Sequence, residues 1–97
     1  MAKWYSGEDF LIHVGTTIER QLQEWDSRYA VNIMKSMNYV FVVKLDDTYY
    51  EMTLTEEEVE TLKEISSNTL DQKIWKSLQV EGLVIHERGG NYMGFVL

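Results

Sequence analysis

Two stretches near the middle of the chain carry its clearest pattern. Tyr39-Val-Phe-Val-Val-Lys-Leu45 and Tyr49-Tyr-Glu-Met-Thr-Leu54 are rich in β-branched and aromatic residues and flank Asp46-Asp47-Thr48. That composition around polar turn residues predicts a β-hairpin. With the turn at Asp47-Thr48, Phe41, Val43 and Leu45 face Leu54, Met52 and Tyr50, and Lys44 stands opposite Glu51 as a favourable cross-strand pair. A turn one residue earlier keeps the same faces and loses that pair.

The period then changes from two to about 3.6. Thr55 with Glu58 three residues later forms a capping box, and Glu56 and Glu57 lie in the first turn, where the helix dipole favours anions. Val59, Leu62 and Ile65 make the stripe expected to be buried. After Ser66-Ser67-Asn68, Thr69 and Gln72 open a second helix whose apolar positions are Leu70, Ile74, Trp75 and Leu78, with Gly82 placed to end it. Leu83–Glu87 and Tyr92–Leu97 flank Arg88-Gly-Gly-Asn91, which predicts a second hairpin.

The first third supports two readings. Ser6 before Glu8 and Asp9 reads as a helix start, whereas Phe10, Ile12 and Val14 alternate as a strand does, and Gly15 is expected to break either. Thr16 and Glu19 form a further capping box opening a helix through Ile18, Leu22 and Trp25. Tyr29, Val31 and Ile33 then fit alternate positions of a strand over 29–35; Tyr29 and Ile33 also fit a helical stripe. Asp26-Ser27 reads as a helix stop and favours the strand, which makes a three-stranded meander with the central hairpin.

The fold class expected is therefore α+β. It is a single small domain over residues 1–97 with an antiparallel β-hairpin or meander (29–54), two helices (55–66 and 69–80) and a C-terminal β-hairpin (83–97). Composition agrees: 44% hydrophobic and 26% charged residues fit one globular unit. Proline is absent, so turns rest on Gly, Asn, Asp and Ser and connections are expected to be short. Cysteine is absent, which excludes disulfides and thiolate–metal sites and suits a reducing compartment. No apolar run approaches the ~18 residues of a spanning helix, and MAKWYSGEDF lacks the form of a secretory signal. The expectation is a soluble, cytoplasmic protein.

Charge changes the picture most. The formal net charge of −7 lies wholly between Asp46 and Glu64, where Asp46, Asp47, Glu51, Glu56, Glu57, Glu58, Glu60 and Glu64 face only Lys63. Acids and bases balance elsewhere. A charge gathered in one block makes a local field that points toward partners, although the capped helix accounts for much of it.

Catalytic chemistry finds little support. His13 and His86, the two histidines, are far apart in sequence and each reads as a strand-face residue. No thiol nucleophile and no G-x-S-x-G elbow exists. Gly89-Gly90 lacks the strand–loop–helix setting of a phosphate cradle, and Asp46-Asp47 with Glu51 lacks the spacing and glycine of a calcium loop. The expectation is a protein that is not an enzyme, with no cofactor and no metal.

Residues 55–97, with helix, short turn, a helix running into Leu78-Gln-Val-Glu-Gly-Leu-Val84 and a hairpin holding Gly89-Gly90-Asn91-Tyr92, resemble the recognition-helix and wing part of winged-helix modules. The likeness spans under half the chain. It departs from that family in lacking room for a helix at Ser66-Ser67-Asn68 and in offering only Lys73, Lys76 and Arg88 as bases. It implies, as an alternative reading, a DNA-binding regulator using the 69–80 helix and the 83–97 hairpin through Lys73, Lys76 and Arg88. The acidic block weighs against that, because nucleic-acid affinity rests on neutralised phosphates. In general style the chain also resembles small proteins of bacteriophages and mobile elements.

The leading expectation is a small acidic protein-interaction module that binds a protein partner through Asp46, Asp47, Glu51, Glu56, Glu57 and Glu60. Inhibition of a host protein is one form of it, and carboxylates imitating a phosphate backbone are one way to achieve it. Trp75 reads as core and Trp4 and Tyr5 as exposed aromatics, while pairing of the last strand with its copy would give a homodimer.

Overall fold

A computed structural model describes residues 6–65 and 69–85. It opens with helix α1 (Gly7–Trp25), capped by Ser6, whose Oγ accepts the Asp9 N–H at 3.1 Å. Phe10, Leu11, Val14, Ile18 and Leu22 fall on one face and are buried. This single helix runs through residues 8–14, so the alternation of Phe10, Ile12 and Val14 was not a strand: Ile12 is 49% exposed on the helix's outer side. His13 is likewise an exposed helical residue and not a strand-face one. The Thr16/Glu19 pair is interior to α1; Thr16 and Thr17 hydroxyls donate back to the Ile12 and His13 carbonyls at 2.9 and 3.1 Å.

Gly15 does not break the helix because it is where the helix meets the sheet. A β-carbon at Gly15 would lie 2.8 Å from Ile33 Cδ1 and 3.4 Å from the Phe41 ring. The glycine reports close packing between two elements, which sequence spacing alone does not distinguish from a stop.

After Asp26, which caps α1, the chain forms an antiparallel meander of β1 (Ala30–Lys35), β2 (Tyr39–Leu45) and β3 (Thr48–Leu54), in that spatial order. Tyr39, Phe41 and Val43 of the central strand are buried beneath the helices. Asn32, Met34, Lys44, Tyr49, Glu51 and Thr53 are exposed.

The β2–β3 register corrects the expected one by one position of the turn. Leu45 pairs with Thr48, Val43 with Tyr50 and Phe41 with Met52, so the loop is Asp46-Asp47. Asp46 adopts φ 53°, a left-handed conformation that a short Asx side chain tolerates and a β-branched Thr48 does not. Lys44 therefore stands opposite Tyr49, with Nζ 5.7 Å from the ring centroid, and Glu51 opposite Val42. The expected Lys44–Glu51 pair does not form.

Helix α2 (Glu56–Ile65) starts at the anticipated capping box. Thr55 Oγ1 accepts the Glu58 N–H and Glu58 Oε1 accepts the Thr55 N–H, both at 3.0 Å. Val59 is fully buried and Leu62 half-buried, but Ile65 is 63% exposed at the helix end, outside the stripe assigned to it. Helix α3 (Thr69–Val80) buries Leu70, Ile74, Trp75 and Leu78 as its spacing predicts. Gly82 follows it with φ 104° and leads to buried Leu83. Trp75 meets Trp25 at a centroid distance of 5.7 Å and an interplanar angle of 60°. The α+β class holds: among the described residues, three helices and a three-stranded antiparallel sheet share one core. The predicted C-terminal hairpin, with His86, Arg88 and Tyr92, lies largely outside the described residues, as do Trp4 and Tyr5.

Candidate protein-binding surface

The acidic block is continuous in sequence and divided in space. Asp46 and Asp47 occupy the β2–β3 turn, whereas Glu56, Glu57 and Glu60 lie beyond the other end of β3. Seven residues of strand separate them by roughly 20 Å. Glu51 lies between.

Five of these carboxylates are already engaged. Asp46 Oδ2 meets Arg28 Nη1 at 2.5 Å, and the same guanidinium holds Asp26 at 2.6 Å. Glu56 pairs with Lys35 at 2.8 Å, tying the end of β1 to the start of α2. Glu58 pairs with Lys73 at 2.7 Å, linking α2 to α3. Glu60 accepts from Lys63 at 2.8 Å and also from the Gly7 N–H at 2.7 Å, so it holds the N-terminus of α1. Glu64 lies 3.8 Å from Lys63. The remaining carboxylates of the block, Asp47, Glu51 and Glu57, are exposed and make no ion pair among the described residues.

These contacts set the titration. The Arg28 side chain, then its backbone N–H, holds the Asp26 carboxyl down at about 2. Lys73 lowers Glu58, reinforced by the Thr55 N–H, and Lys63 lowers Glu60, reinforced by the Gly7 N–H. Each depressed carboxylate stabilises the fold above its unfolded value, 3.8 for Asp and 4.5 for Glu, and that contribution disappears as pH falls through the lower folded value. Thermal melts are expected to lose stability progressively from pH 4.5 toward pH 2. Asp26→Asn should flatten the most acidic part of that decline; an unchanged slope would remove Asp26 from this role.

Of the bases expected to meet DNA, Lys73 and Lys76 lie one turn apart on α3. Lys73 is paired with Glu58, Lys76 is exposed, and Arg88 lies outside the described residues. Among the described residues no cluster of three His, Asp or Glu is arranged to hold a metal, and no helix is long and apolar enough to cross a membrane.

Sequence reasoning missed two features. One is the set of bases from distant segments, Arg28 and Lys35, that reach the acidic block; only the fold brings them there. The other is a groove of about 520 Å³ between β3 and α3, with Glu51, Met52 and Thr53 on one wall and Lys76, Val80 and Glu81 on the other. Its available signal was Val80, an apolar residue off the α3 stripe and 86% exposed. A smaller recess of about 290 Å³ between α2 and α3 is crossed by the Glu58–Lys73 pair. Comparison with protein-family models, curated proteins and solved structures finds no match for this chain.

Proposed function

We propose that this chain is a small acidic protein-interaction module, an adaptor or inhibitor that acts by binding a protein partner and not by catalysis. The observation that carries this reading is the selective neutralisation of the acidic block. Asp46, Glu56, Glu58 and Glu60 serve the fold through ion pairs and caps, while Asp47, Glu51 and Glu57 stay exposed without an ion pair among the described residues. Exposed Tyr49, 58% accessible, sits between Asp47 and Glu51 and supplies the aromatic surface that binding patches favour. The partner-binding set is thus narrowed to Asp47, Glu51 and Glu57. The Glu58–Lys73 pair offsets one of the bases on which the alternative DNA-binding reading relies.

The test is affinity capture from the native host. An Asp47→Asn/Glu51→Gln/Glu57→Gln variant is expected to lose its partner at least about tenfold, the equivalent of about 1.4 kcal/mol. Its circular dichroism should match the parent. A partner set unchanged by that variant makes the free carboxylates a solvated surface and ends the proposal. If the carboxylates imitate phosphates, added duplex DNA displaces the chain from its partner and added salt weakens capture.

A further inference from the structure

The groove beside β3 has a property that its lining residues reveal. Glu51, Met52 and Thr53 are consecutive, and successive side chains of a strand point to opposite faces. A single void that touches all three lies against the edge of the strand, which is the outer one of the sheet among the described residues.

The hydrogen-bond phase of the sheet says which backbone groups face it. The Ser36 N–H donates to the Asn38 carbonyl at 3.1 Å, and the β1–β2 register alternates from there, so Met34, Asn32 and Ala30 turn their polar groups toward β2. Val40, Val42 and Lys44 answer them. Tyr39, Phe41, Val43 and Leu45 therefore bond to β3, through Leu54, Met52, Tyr50 and Thr48. Tyr49, Glu51 and Thr53 are left with N–H and C=O groups directed outward, and no described backbone group takes them.

The opposite edge is treated differently. Glu19 Oε2 accepts the Val31 N–H at 2.8 Å, and Gln23 Nε2 donates to the Tyr29 carbonyl at 3.0 Å. Side chains of α1 thus occupy outward groups of β1 and its approach, a device that blocks edge pairing. On β3 the outward groups instead face an open groove walled by a helix.

From this juxtaposition, a strand edge unpaired among the described residues beside α3, we infer that the β3–α3 groove binds an extended segment of a protein partner as a fourth strand, and that this segment alternates apolar and basic residues. The inference rests on the protein-binding reading above and specifies its mode. Main-chain bonds to Glu51 and Thr53 supply affinity, and alternate side chains supply selectivity. Apolar side chains cover Met52 and Val80. A basic side chain enters between Glu51 and Glu81, which outnumber Lys76 in the lining of the groove. The outward positions from Tyr49 to Thr53 span about 13 Å, the reach of a five-residue segment. A second copy of the chain is a poor occupant: antiparallel pairing of β3 with itself about the centre of that triplet sets Glu51 directly against Glu51, and opposed like charges destabilise a strand pair.

The test uses the full chain and the synthetic peptide acetyl-Thr-Val-Lys-Val-Thr-amide, followed by backbone amide NMR and hydrogen exchange at up to about 5 mM peptide. Binding is expected to shift and protect the amides of Glu51 and Thr53. It should weaken at least about tenfold when the peptide backbone is N-methylated, when its Lys is replaced by Glu, and in Glu51→Lys or Val80→Asp. The two variants change exposed residues, so matching spectra away from the groove show that the fold is kept. Absence of shifts at Glu51 and Thr53, indifference to N-methylation, or a concentration-dependent dimer formed through β3 would each overturn the inference. Capture of the host partner by Glu51→Lys and Val80→Asp at parent strength removes the groove while leaving the protein-binding reading in place.

Discussion

Trp75→Ala is expected to lower the unfolding free energy by about 3–5 kcal/mol, the range for removing a large buried aromatic. Domains of this kind are stable by about 5–15 kcal/mol in total, so the variant should lie close to the limit of folding. Trp75 is fully buried on α3 and reaches Trp25 at the last residue of α1. Removing it leaves a cavity between those two helices and also abolishes the tilted ring pair, which contributes about 0.5–1.5 kcal/mol beyond area. Urea titration gives the loss directly, and near-ultraviolet circular dichroism should lose the Trp–Trp signal. Trp75→Phe should retain part of both. A midpoint shift equivalent to less than about 1 kcal/mol for the alanine variant would contradict the burial of this side chain.

Gly15→Val is expected to cost about 2 kcal/mol, within the range for overpacking a filled interior. The β-carbon alone meets Ile33 Cδ1 at 2.8 Å and the Phe41 ring at 3.4 Å, and the γ-carbons of valine extend further toward a ring that is fully buried. Gly15→Ala is the informative contrast. Alanine gains up to about 1 kcal/mol of helix propensity, offset by displacement of the flexible end of Ile33. Adding Ile33→Val deletes the Cδ1 atom that obstructs it, so the double variant should be more stable than the sum of the single changes implies. Additive behaviour in thermal or urea unfolding would show that Gly15 and Ile33 do not meet.

These two positions show where the amino-acid order was sufficient and where it was not. Trp75 was legible because a helix repeats its faces every 3.6 residues, so its place beside Ile74 and Leu78 already assigned it to the core. Gly15 was misread because glycine carries two signals, low helix propensity and tolerance of close approach. Only the position of Ile33 and Phe41 across the interface tells them apart. The β2–β3 register turned on a similar balance. A Lys44–Glu51 pair favoured one turn, but surface ion pairs contribute little, and the left-handed residue of the turn selected Asp46.

The candidate surface was legible as composition and not as arrangement. That the negative charge lies between Asp46 and Glu64 is a property of the sequence. Which carboxylates remain unpaired is not, because Arg28 and Lys35 come from other segments and arrive only when β1 pairs with β2.

By itself the sequence determined the local elements of this protein. The reciprocal Thr55–Glu58 cap, the span of α3, the central hairpin and the alternation of β1 all follow from interactions within a few residues of one another. Only the tertiary structure decided that α1 is one unbroken helix, that Glu60 caps it from 53 positions away, and that β3 and α3 wall a groove between them. Each of those depends on a contact between groups distant in the chain, whose formation is set by how the elements stack and not by the propensities of their own residues.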